Sequence, residues 1–567
     1  MRRVGIALVF VACGGSLDTG LPDGSDYDAG SDGTTTDGTT IDVTVQDAPA
    51  ETCGATSCSA DLRSVTDCDG NVVQTCPSNM GCFAGACEDA CKATDDGKSA
   101  LGCEFYGVVP DVLPQNGLEG GCYAVAITNQ WSSSMTVTVD RAGTSLPNAL
   151  YATSGSGNAT TFSSISQVSP GQTALLFLSN SPNAKPACPT GVTPAMTTDP
   201  AAHGTMIGDA FHIKTSLPAT AADYVPFGAS AFIASASVLL PTHSWDKSYV
   251  VVDGYVASQI AGGVPSTDIV ALKDNTIVYF TPVADIVASN TVAGATANQL
   301  QKYVISKGQV LQITQKADLT GSVVTSSAPI GMWGAHTCMN IDPSSAFCDS
   351  GHQQLPGVTA MGSDYAAVRY KNRTSTDESP PWRIVGAAAG TQLTFDPAVS
   401  GAPSTLAVGQ LATFTSAGPF RVKSQDAQHP FYLSGHMTGG NAYGQLGDPE
   451  FVNVVPSKSW RSAYTFFTEP GFPETSLVVV RESVNSVFQD VKLDCAGTLT
   501  GWAAIDATNL YQYTRLDLST GNFSGQNGCD NGAHTATSAG PFTVTTWGWG
   551  NSTTGTYSVS YALPSGL

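Results

Sequence analysis

Two cysteines and two histidines lie close enough in sequence either to bind a metal ion or to form a disulfide-closed loop. Cys338 and Cys348 occur in "GMWGAHTCMNIDPSSAFCDSGHQQLPGV", residues 331–358, and His336 and His352 flank them. Thiolates and imidazoles are the ligands that Zn²⁺ prefers. In an oxidising compartment the same cysteines pair with each other. The choice between the two readings therefore depends on where the chain resides.

The N-terminus predicts export and lipidation. "MRRVGIALVFVAC" places two arginines before an apolar run from Val4 to Ala12, followed by Cys13. This order is typical of a secretory signal, and the run is shorter than the roughly 20 apolar residues that cross a bilayer as a helix. We interpret residues 1–13 as a lipoprotein signal that ends at a lipidated Cys13. The predicted location is the outer membrane or cell surface, extracytoplasmic and lipid-anchored.

An acidic segment follows the predicted anchor. Residues 14–51 contain eight Asp, one Glu and no Lys or Arg among many Gly, Ser and Thr. Such a composition buries too little apolar surface to fold, and its like charges extend it, so we predict a disordered stalk. Asp26, Asp28 and Asp32 are a candidate calcium site, although the closing Glu of a full calcium loop is missing. The net charge of −22 argues against nucleic acid as a partner and leaves the lipid as the only membrane contact.

The cysteine count favours disulfides over metal. Fifteen cysteines less Cys13 leave an even number in an exported chain. We expect Cys338 to pair with Cys348 and Cys495 to pair with Cys529. Residues 52–91 are predicted to be a mini-module stapled by six of its seven cysteines, without a choice among the pairings. Apart from the calcium candidate in the acidic segment, no bound metal and no cofactor are predicted.

Four similar segments divide the rest of the chain. A Pro at 114, 241, 356 or 456 precedes by eight or nine residues a Tyr that opens an apolar run. Three further elements recur: a Gly-Gln turn at 171, 308 and 409, "SAGPF" at 416–420 and 538–542, and a Ser shortly before Pro, as in "TSSAPIGMWGAH". Recurrence at such a spacing indicates repeated structural units. The predicted repeats are residues 92–230, 231–350, 351–446 and 447–567.

The sequence pattern of the repeats predicts β-strands. Their runs of Val, Thr, Tyr and Phe alternate with a period of two between Gly, Pro and Asn, and helical periodicity is nearly absent. We predict an all-β fold of tandem β-sandwich-like repeats. A propeller-like closure of the repeats is the alternative, but 100 residues exceed twice the length of a usual propeller blade.

The chain resembles a known family in its central part. The segments "ASASVLLPTHSWDKSYVV", "ADLTGSVVTSSAPIGMWGAHTC" and "CDSGHQQLPGVTAMGSDYAAV" are similar to the N-terminal domain of the IgGFc-binding protein family. The similarity is clearest over residues 230–470. It implies an extracellular binding or adhesive module without known catalytic residues.

The sequence offers few candidate site residues. It lacks the G-x-S-x-G, H-E-x-x-H and phosphate-loop signatures of common enzymes. His336 and His436 occupy equivalent places in two repeats, which favours a structural role in turns or core, with ligand binding as the alternative. Trp547 and Trp549 alternate onto one face of a predicted terminal strand, where aromatic rings could stack on a sugar; packing in the core is the alternative.

Three functions fit these observations. The first is a lipid-anchored surface protein that binds or adheres to an unknown extracellular protein or glycan, and is not an enzyme. The second is an envelope protein that assembles with copies of itself. The third, ranked last, is a secreted hydrolase of polysaccharide, whose paired carboxylates would meet only in the fold.

Overall fold

The computed structural model describes residues 56–59, 61–114, 118–228, 233–344, 346–552 and 555–563. Nearly all regular structure in these ranges is β, which confirms the predicted fold class. The predicted signal with Cys13, the acidic stalk and the calcium candidate of Asp26, Asp28 and Asp32 lie outside the described residues. The domain boundaries drawn from the sequence remain predictions.

A small disulfide-linked region comes first. Disulfides join Cys58 to Cys82, Cys76 to Cys87 and Cys91 to Cys103. Its own core includes little more than Val65 and the half-cystines, which is why covalent links are needed at this size. Its elements are β1 (Ser57–Cys58), β2 (Ser64–Thr66), β3 (Val72–Thr75), β4 (Met80–Phe83), β5 (Ala86–Asp89) and α1 (Ala90–Asp96).

The first unit is a nine-stranded sheet built on the long strand β14. Its strands are β6 (Gly102–Gly107), β7 (Tyr123–Asn129), β8 (Val137–Arg141), β9 (Thr144–Ser145), β10 (Leu150–Ser154), β11 (Thr161–Ser164), β12 (Thr173–Ser179), β14 (Phe211–Val225) and β15 (Ser235–Leu239). The intervening β13 (Met206–Asp209) pairs instead with a strand of the second unit. This strand ties the two units together.

The second unit is an eight-stranded sheet built on β21. It contains β13, β16 (Asp246–Val250), β17 (Pro265–Ala271), β18 (Thr276–Thr281), β19 (Gln301–Ile305), β20 (Gln309–Thr314), β21 (Val323–Met339) and β22 (Asp349–Leu355). In β18, "TIVYFT", buried and half-buried residues alternate, as expected for a strand with one face on the core.

The third unit is a sandwich of two four-stranded sheets. Side chains of both sheets share one core, which includes Trp382, Phe414 and Leu433. The strands are β23 (Asp364–Ala367), β24 (Pro381–Gly386), β25 (Thr391–Asp396), β26 (Thr405–Leu406), β27 (Leu411–Thr415), β28 (Phe420–Ser424), β29 (Phe431–Met437) and β30 (Glu450–Asn453).

The fourth unit is a ten-stranded sheet built on β39. Its strands are β31 (Arg461–Phe467), β32 (Glu474–Val484), β33 (Val487–Phe488), β34 (Val491–Leu493), β35 (Gly497–Thr498), β36 (Ala503–Ala504), β37 (Tyr511–Thr520), β38 (Ser524–Gly525), β39 (Ala533–Ser552) and β40 (Gly555–Ala562). Short 3₁₀ turns elsewhere cover Gly157–Ala159, Thr242–Ser244, Gly440–Ala442 and Ser457–Ser459.

All four units share one plan. A long strand pairs at its start with two strands and at its end with two others: β14 with β6 and β8, then β7 and β15; β21 with β16 and β18, then β17 and β22. Strand β39 repeats this with β31 and β34, then β32 and β40. In the third unit the long strand is interrupted. Strand β28 pairs with β23 and β25, and β29 pairs with β24 and β30.

The tyrosine of the repeated Pro-to-Tyr segment holds this plan together. In the second unit, Tyr249 Oη accepts a hydrogen bond from Asp246 N (3.0 Å) and donates to Ile330 O (2.7 Å). Tyr365 does the same between Gly362 N and Phe431 O, and Tyr464 between Arg461 N and Phe542 O. Each accepting carbonyl belongs to the residue after a Pro, which lies within β21 or β39 in the second and fourth units and directly before β29 in the third. The two "SAGPF" segments are therefore not equivalent, because Phe542 receives the tyrosine and Phe420 does not.

The units close into a ring. Their last strands touch in the cyclic order β15, β22, β30, β40 and back to β15. The hydrophobic cores follow the same circle, since separate clusters join the first unit to the second, the second to the third, the third to the fourth, and the fourth to the first. Each unit has more strands than the four of a propeller blade, so β-sandwich-like repeats arranged in a closed ring describe the fold.

Candidate binding cleft

A cleft of about 590 Å³ lies where the fourth unit meets the first unit and the disulfide-linked region. Its lining combines the start of β31 with residues 539–541 of β39, and on the other side Asp61, Arg63, Gln130 and Thr220. Six separate stretches of chain therefore meet at one concave surface. Clefts of this size are typical of ligand sites.

Arg461 lines this cleft, and its guanidinium is not paired with any described side chain or carbonyl. Its backbone N–H makes the structural hydrogen bond to Tyr464, but its guanidinium has no hydrogen bond or ion pair with any described residue. The equivalent positions in the second and third units hold Asp246 and Gly362. Because the shared geometry uses only the backbone at this position, the arginine side chain is not needed for the fold.

The surroundings of Arg461 favour an anionic ligand. Burial lowers the pKa of Arg461, because taking the guanidinium out of water penalises its charged form. A guanidinium with free N–H groups can bind a carboxylate, sulfate or phosphate through two hydrogen bonds. Trp460 and Tyr464 form the floor beside it, and both rings are almost fully buried.

Arg63 completes the cationic side of the cleft but is already engaged. Its Nη2 donates to Gln130 O, its Nε lies 4.0 Å from Asp61 Oδ2, and its guanidinium lies 5.8 Å from the centre of the Trp131 ring. These contacts anchor the disulfide-linked region to the first unit. Arg63 adds positive potential to the cleft, whereas Arg461 offers unused donors.

The two histidines expected from the sequence are both buried. His336 Nε2 lies 3.1 Å from Val256 O, and His436 Nε2 lies 3.1 Å from Gly254 O. Burial lowers the pKa of His336 to about 4 and that of His436 to about 3, so both are neutral at pH 7 and donate through Nε2. Both histidines therefore donate hydrogen bonds to backbone carbonyls of the same loop, residues 253–256. Neither faces solvent, so the expected ligand-binding surface does not include them.

Trp547 and Trp549 are not surface residues, contrary to the sequence prediction. They are 2% and 1% exposed and pack against Tyr370, with ring centres 5.0 and 6.3 Å apart. The prediction was wrong because β39 is not a terminal strand: β32 and β40 pair with it on either side. The third unit covers the face that was expected to be open.

Cys338 is bonded to Cys348, and Cys495 to Cys529. Residues 331–358 therefore have no thiolate left to bind zinc. His352 Nε2 lies 3.3 Å from Asp223 Oδ2 instead. A group of Asp494, Cys495 and His534 has metal-like spacing. Its sulfur is in the disulfide, and both ring nitrogens of His534 already have oxygen partners. This group is a hydrogen-bonded corner of the fold.

Sequence reasoning missed Arg461. The signal was present, because "SKSWRSAY" aligns with "THSWDKSY" and carries an arginine where the other repeat has an aspartate. A charge reversal inside a repeated motif indicates a position at which the fold does not depend on the side chain. What the sequence did not show is that the first unit and residues 61–63 close over it.

Within the described ranges, no helix is long and apolar enough to cross a membrane.

Comparisons with known proteins agree with the resemblance seen in the sequence. The human IgGFc-binding protein is 22% identical to this chain over 232 residues, which are 40% of this chain and 4% of the human protein. The chain thus matches only a small part of that relative. No solved structure matches. The family described as IgGFc binding protein matches residues 235–548, from β15 through most of β39. This match covers more than half of the chain, and the protein belongs to the IgGFc binding protein family.

Proposed function

We propose that this protein is a lipid-anchored binding protein of the cell surface, and that its cleft at Arg461 receives an acidic group of an extracellular glycan or protein. The family is one of binding proteins, and the disulfides fit an extracytoplasmic chain. The observation that carries the proposal is the unpaired guanidinium of Arg461 in a concave site. In a chain of net charge −22, a cleft with two arginines is a local exception that favours anions.

The alternatives have less support in this cleft. Asp61 is the single carboxylate among its described lining residues, whereas a glycosidase needs two. An envelope protein that assembles with its own copies would need a self-complementary apolar surface. Exposed large apolar residues occur in several parts of the fold, with Val72 in the disulfide-linked region, Val408 in the third unit and Val487 in the fourth, although the second unit contains five of them.

The binding experiment compares variants on arrays of sialylated, sulfated and neutral glycans, with immunoglobulin G Fc as a further probe because the human relative carries that name. We expect the wild type to bind acidic glycans and Arg461→Gln to lose at least tenfold in affinity, while Arg461→Lys retains part of it. Lys302→Gln is the matched control, since it removes one exposed positive charge from a distant strand. Equal binding by wild type and Arg461→Gln would show that the cleft is not the site.

The location experiment uses protease shaving of intact cells with mass spectrometry. We expect peptides from residues 100–567 to be released from cells with the native chain, and Cys13→Ala to move the protein to the medium. A body that stays protected in intact cells contradicts surface display and favours a periplasmic role.

A further inference from the structure

Asp268 is a buried carboxylate without a partner. It lies in the middle of β17, its side chain is 0% exposed, and neither Oδ1 nor Oδ2 has a hydrogen bond with any residue that the structure describes. Among the residues that the structure describes, no Lys, Arg or His forms an ion pair with it. An ionised carboxylate in such a place is strongly destabilising unless something neutralises it.

A second unpartnered oxygen lies beside it. Asp268 is directly opposite Gln312 of β20, and side chains of directly opposed residues project from the same face with Cβ atoms about 5 Å apart. Gln312 Nε2 donates to Ala202 O and Gly204 O, both at 2.8 Å, and these two carbonyls fix the orientation of the amide. The remaining Oε1 is buried and accepts no hydrogen bond within the described part of the chain.

A second carboxylate lies near Asp268. Asp111 accepts hydrogen bonds from Gly204 N (2.8 Å) and His203 Nδ1 (3.1 Å), in the same short loop that receives the Gln312 amide. Its negative charge, after burial, contributes to raising the pKa of Asp268. The side chain of Asp111 is 8% exposed and His203 is 41% exposed, so this loop is the route from solvent.

The donors nearby cannot balance this set of oxygens. Trp333 of β21 lies opposite Asp268 on the other side, and its indole N–H is also unpartnered. One neutral N–H can bond one oxygen, but it removes neither the charge of Asp268 nor the unmet Oε1 of Gln312. A cation is the species that satisfies all three acceptor oxygens at once.

We propose that Asp268, Gln312 and Asp111 bind a divalent cation of the calcium type. The available ligands are carboxylate and amide oxygens without nitrogen or sulfur, the set that Ca²⁺ prefers. The loop at residues 202–204 comes from the chain of the first unit, whereas β17 and β20 belong to the second. The cation therefore fastens the first unit to the second and stabilises the ring.

The test uses the full chain with Cys13→Ala, which keeps it soluble, in Ca²⁺ or in EDTA. We expect saturating Ca²⁺ to raise the Tm by about 5 °C. Tb³⁺ in place of Ca²⁺ should show luminescence excited through tryptophan, reduced in Trp333→Phe. Asp268→Asn should abolish both the Tm shift and the luminescence, and Asp69→Asn, which changes an exposed carboxylate, should leave both unchanged.

Three results would overturn the proposal. The first is an equal Tm in Ca²⁺ and EDTA, which would mean that a proton neutralises Asp268. The second is a Ca²⁺ response that persists in Asp268→Asn. The third is a response that disappears when Asp26, Asp28 and Asp32 are changed to Asn, which would place the ion in the N-terminal segment. If Asp268→Asn does not fold, equilibrium dialysis decides, because that triple Asn variant must still bind one Ca²⁺ per chain.

Discussion

At the scale of single residues, the fold depends on polar groups that are buried in pairs. In the second, third and fourth units, the tyrosine of the Pro-to-Tyr segment joins a backbone N–H three residues earlier to a carbonyl of the long strand. In the first unit, Tyr123 Oη donates to Asp223 Oδ2 instead. A phenol can do this because its hydroxyl both accepts and donates. The bond replaces a strand ladder that is interrupted at the Pro of the long strand, where a backbone N–H is missing.

Tyr464→Phe should therefore destabilise the fourth unit. It leaves the N–H of Arg461 and the buried carbonyl of Phe542 without a partner, which costs about 1–3 kcal/mol. Urea unfolding measures the loss, and Tyr249→Phe and Tyr365→Phe should give similar values. Tyr279→Phe is the control, since its hydroxyl has no hydrogen bond with the described residues. A loss no larger than that of the control would contradict the structural role.

Glu469 makes the free energy of unfolding depend on pH, and a substitution at this residue can measure its contribution. It is 3% exposed, its Oε1 accepts from Gly228 N (2.7 Å), and burial raises its pKa to about 8. A carboxyl whose pKa is raised by folding stays protonated in the folded state while the unfolded chain ionises. Stability from this group is therefore complete below pH 4.5 and declines as the pH rises toward 8.

Glu469→Gln should remove that decline. At pH 8 the variant should be more stable than wild type by on the order of 2 kcal/mol, and at pH 5 nearly equal to it. Denaturant unfolding at both values checks this, with Asp490→Asn as an exposed control. A difference that is the same at pH 5 and pH 8 would show that Glu469 does not titrate in this range.

At the scale of elements, each unit is organised by its long strand and by the links that hold its ends. The second unit ends in the hairpin of β21 and β22, which the Cys338–Cys348 disulfide closes over a separation of ten residues. Strand β21 also carries His336, and β22 contacts the last strands of the neighbouring units in the closed ring. Their register therefore affects both the loop at residues 253–256 and the contacts between units.

Replacing Cys338 and Cys348 together by Ala should lower stability by about 2–3 kcal/mol, since the unfolded chain regains the freedom of a short loop. Thermal unfolding of the oxidised proteins measures the change. Treatment with a reductant should then affect wild type more than the double variant. Equal stability of the two oxidised proteins would show that the hairpin alone fixes the register.

At the scale of the whole molecule, the ring makes the last strand structural for the first unit. Val559 and Tyr561 of β40 belong to the core that joins the fourth unit to the first, and Gln353 of β22 donates to Ser560 O (3.1 Å). A strand at one end of the chain thus packs against β15, more than 300 residues earlier. Contacts between distant parts of the chain make the units interdependent.

Deleting residues 555–567 should therefore destabilise all four units rather than the fourth alone. Loss of the buried side chains of β40 leaves an open edge and a cavity, at a cost of several kcal/mol. Limited proteolysis should show cleavage in the first unit as well as in the fourth. Deleting only residues 564–567 is the control. Protection of the first unit in the shorter chain would mean that the units are stable separately.

Several features were accessible from the sequence because they depend on local chemistry. Period-two alternation predicted strands, and the Pro-to-Tyr segments indicated repeats before any contact was known. An even number of cysteines, together with a predicted export signal, favoured disulfides over zinc. These inferences need only the chemistry of neighbouring residues and the compartment.

The candidate sites could not be derived in the same way. Trp547 and Trp549 looked exposed because alternation shows that two residues share a face, but not what covers it. Arg461 and the pair of Asp268 and Gln312 became visible only when strands far apart in sequence were placed side by side. The sequence alone determined the strand pattern and the repeat of this protein, and it predicted export. Tertiary structure decided the closed ring, the cleft and the unpartnered oxygens, because burial and pairing depend on which distant segments meet.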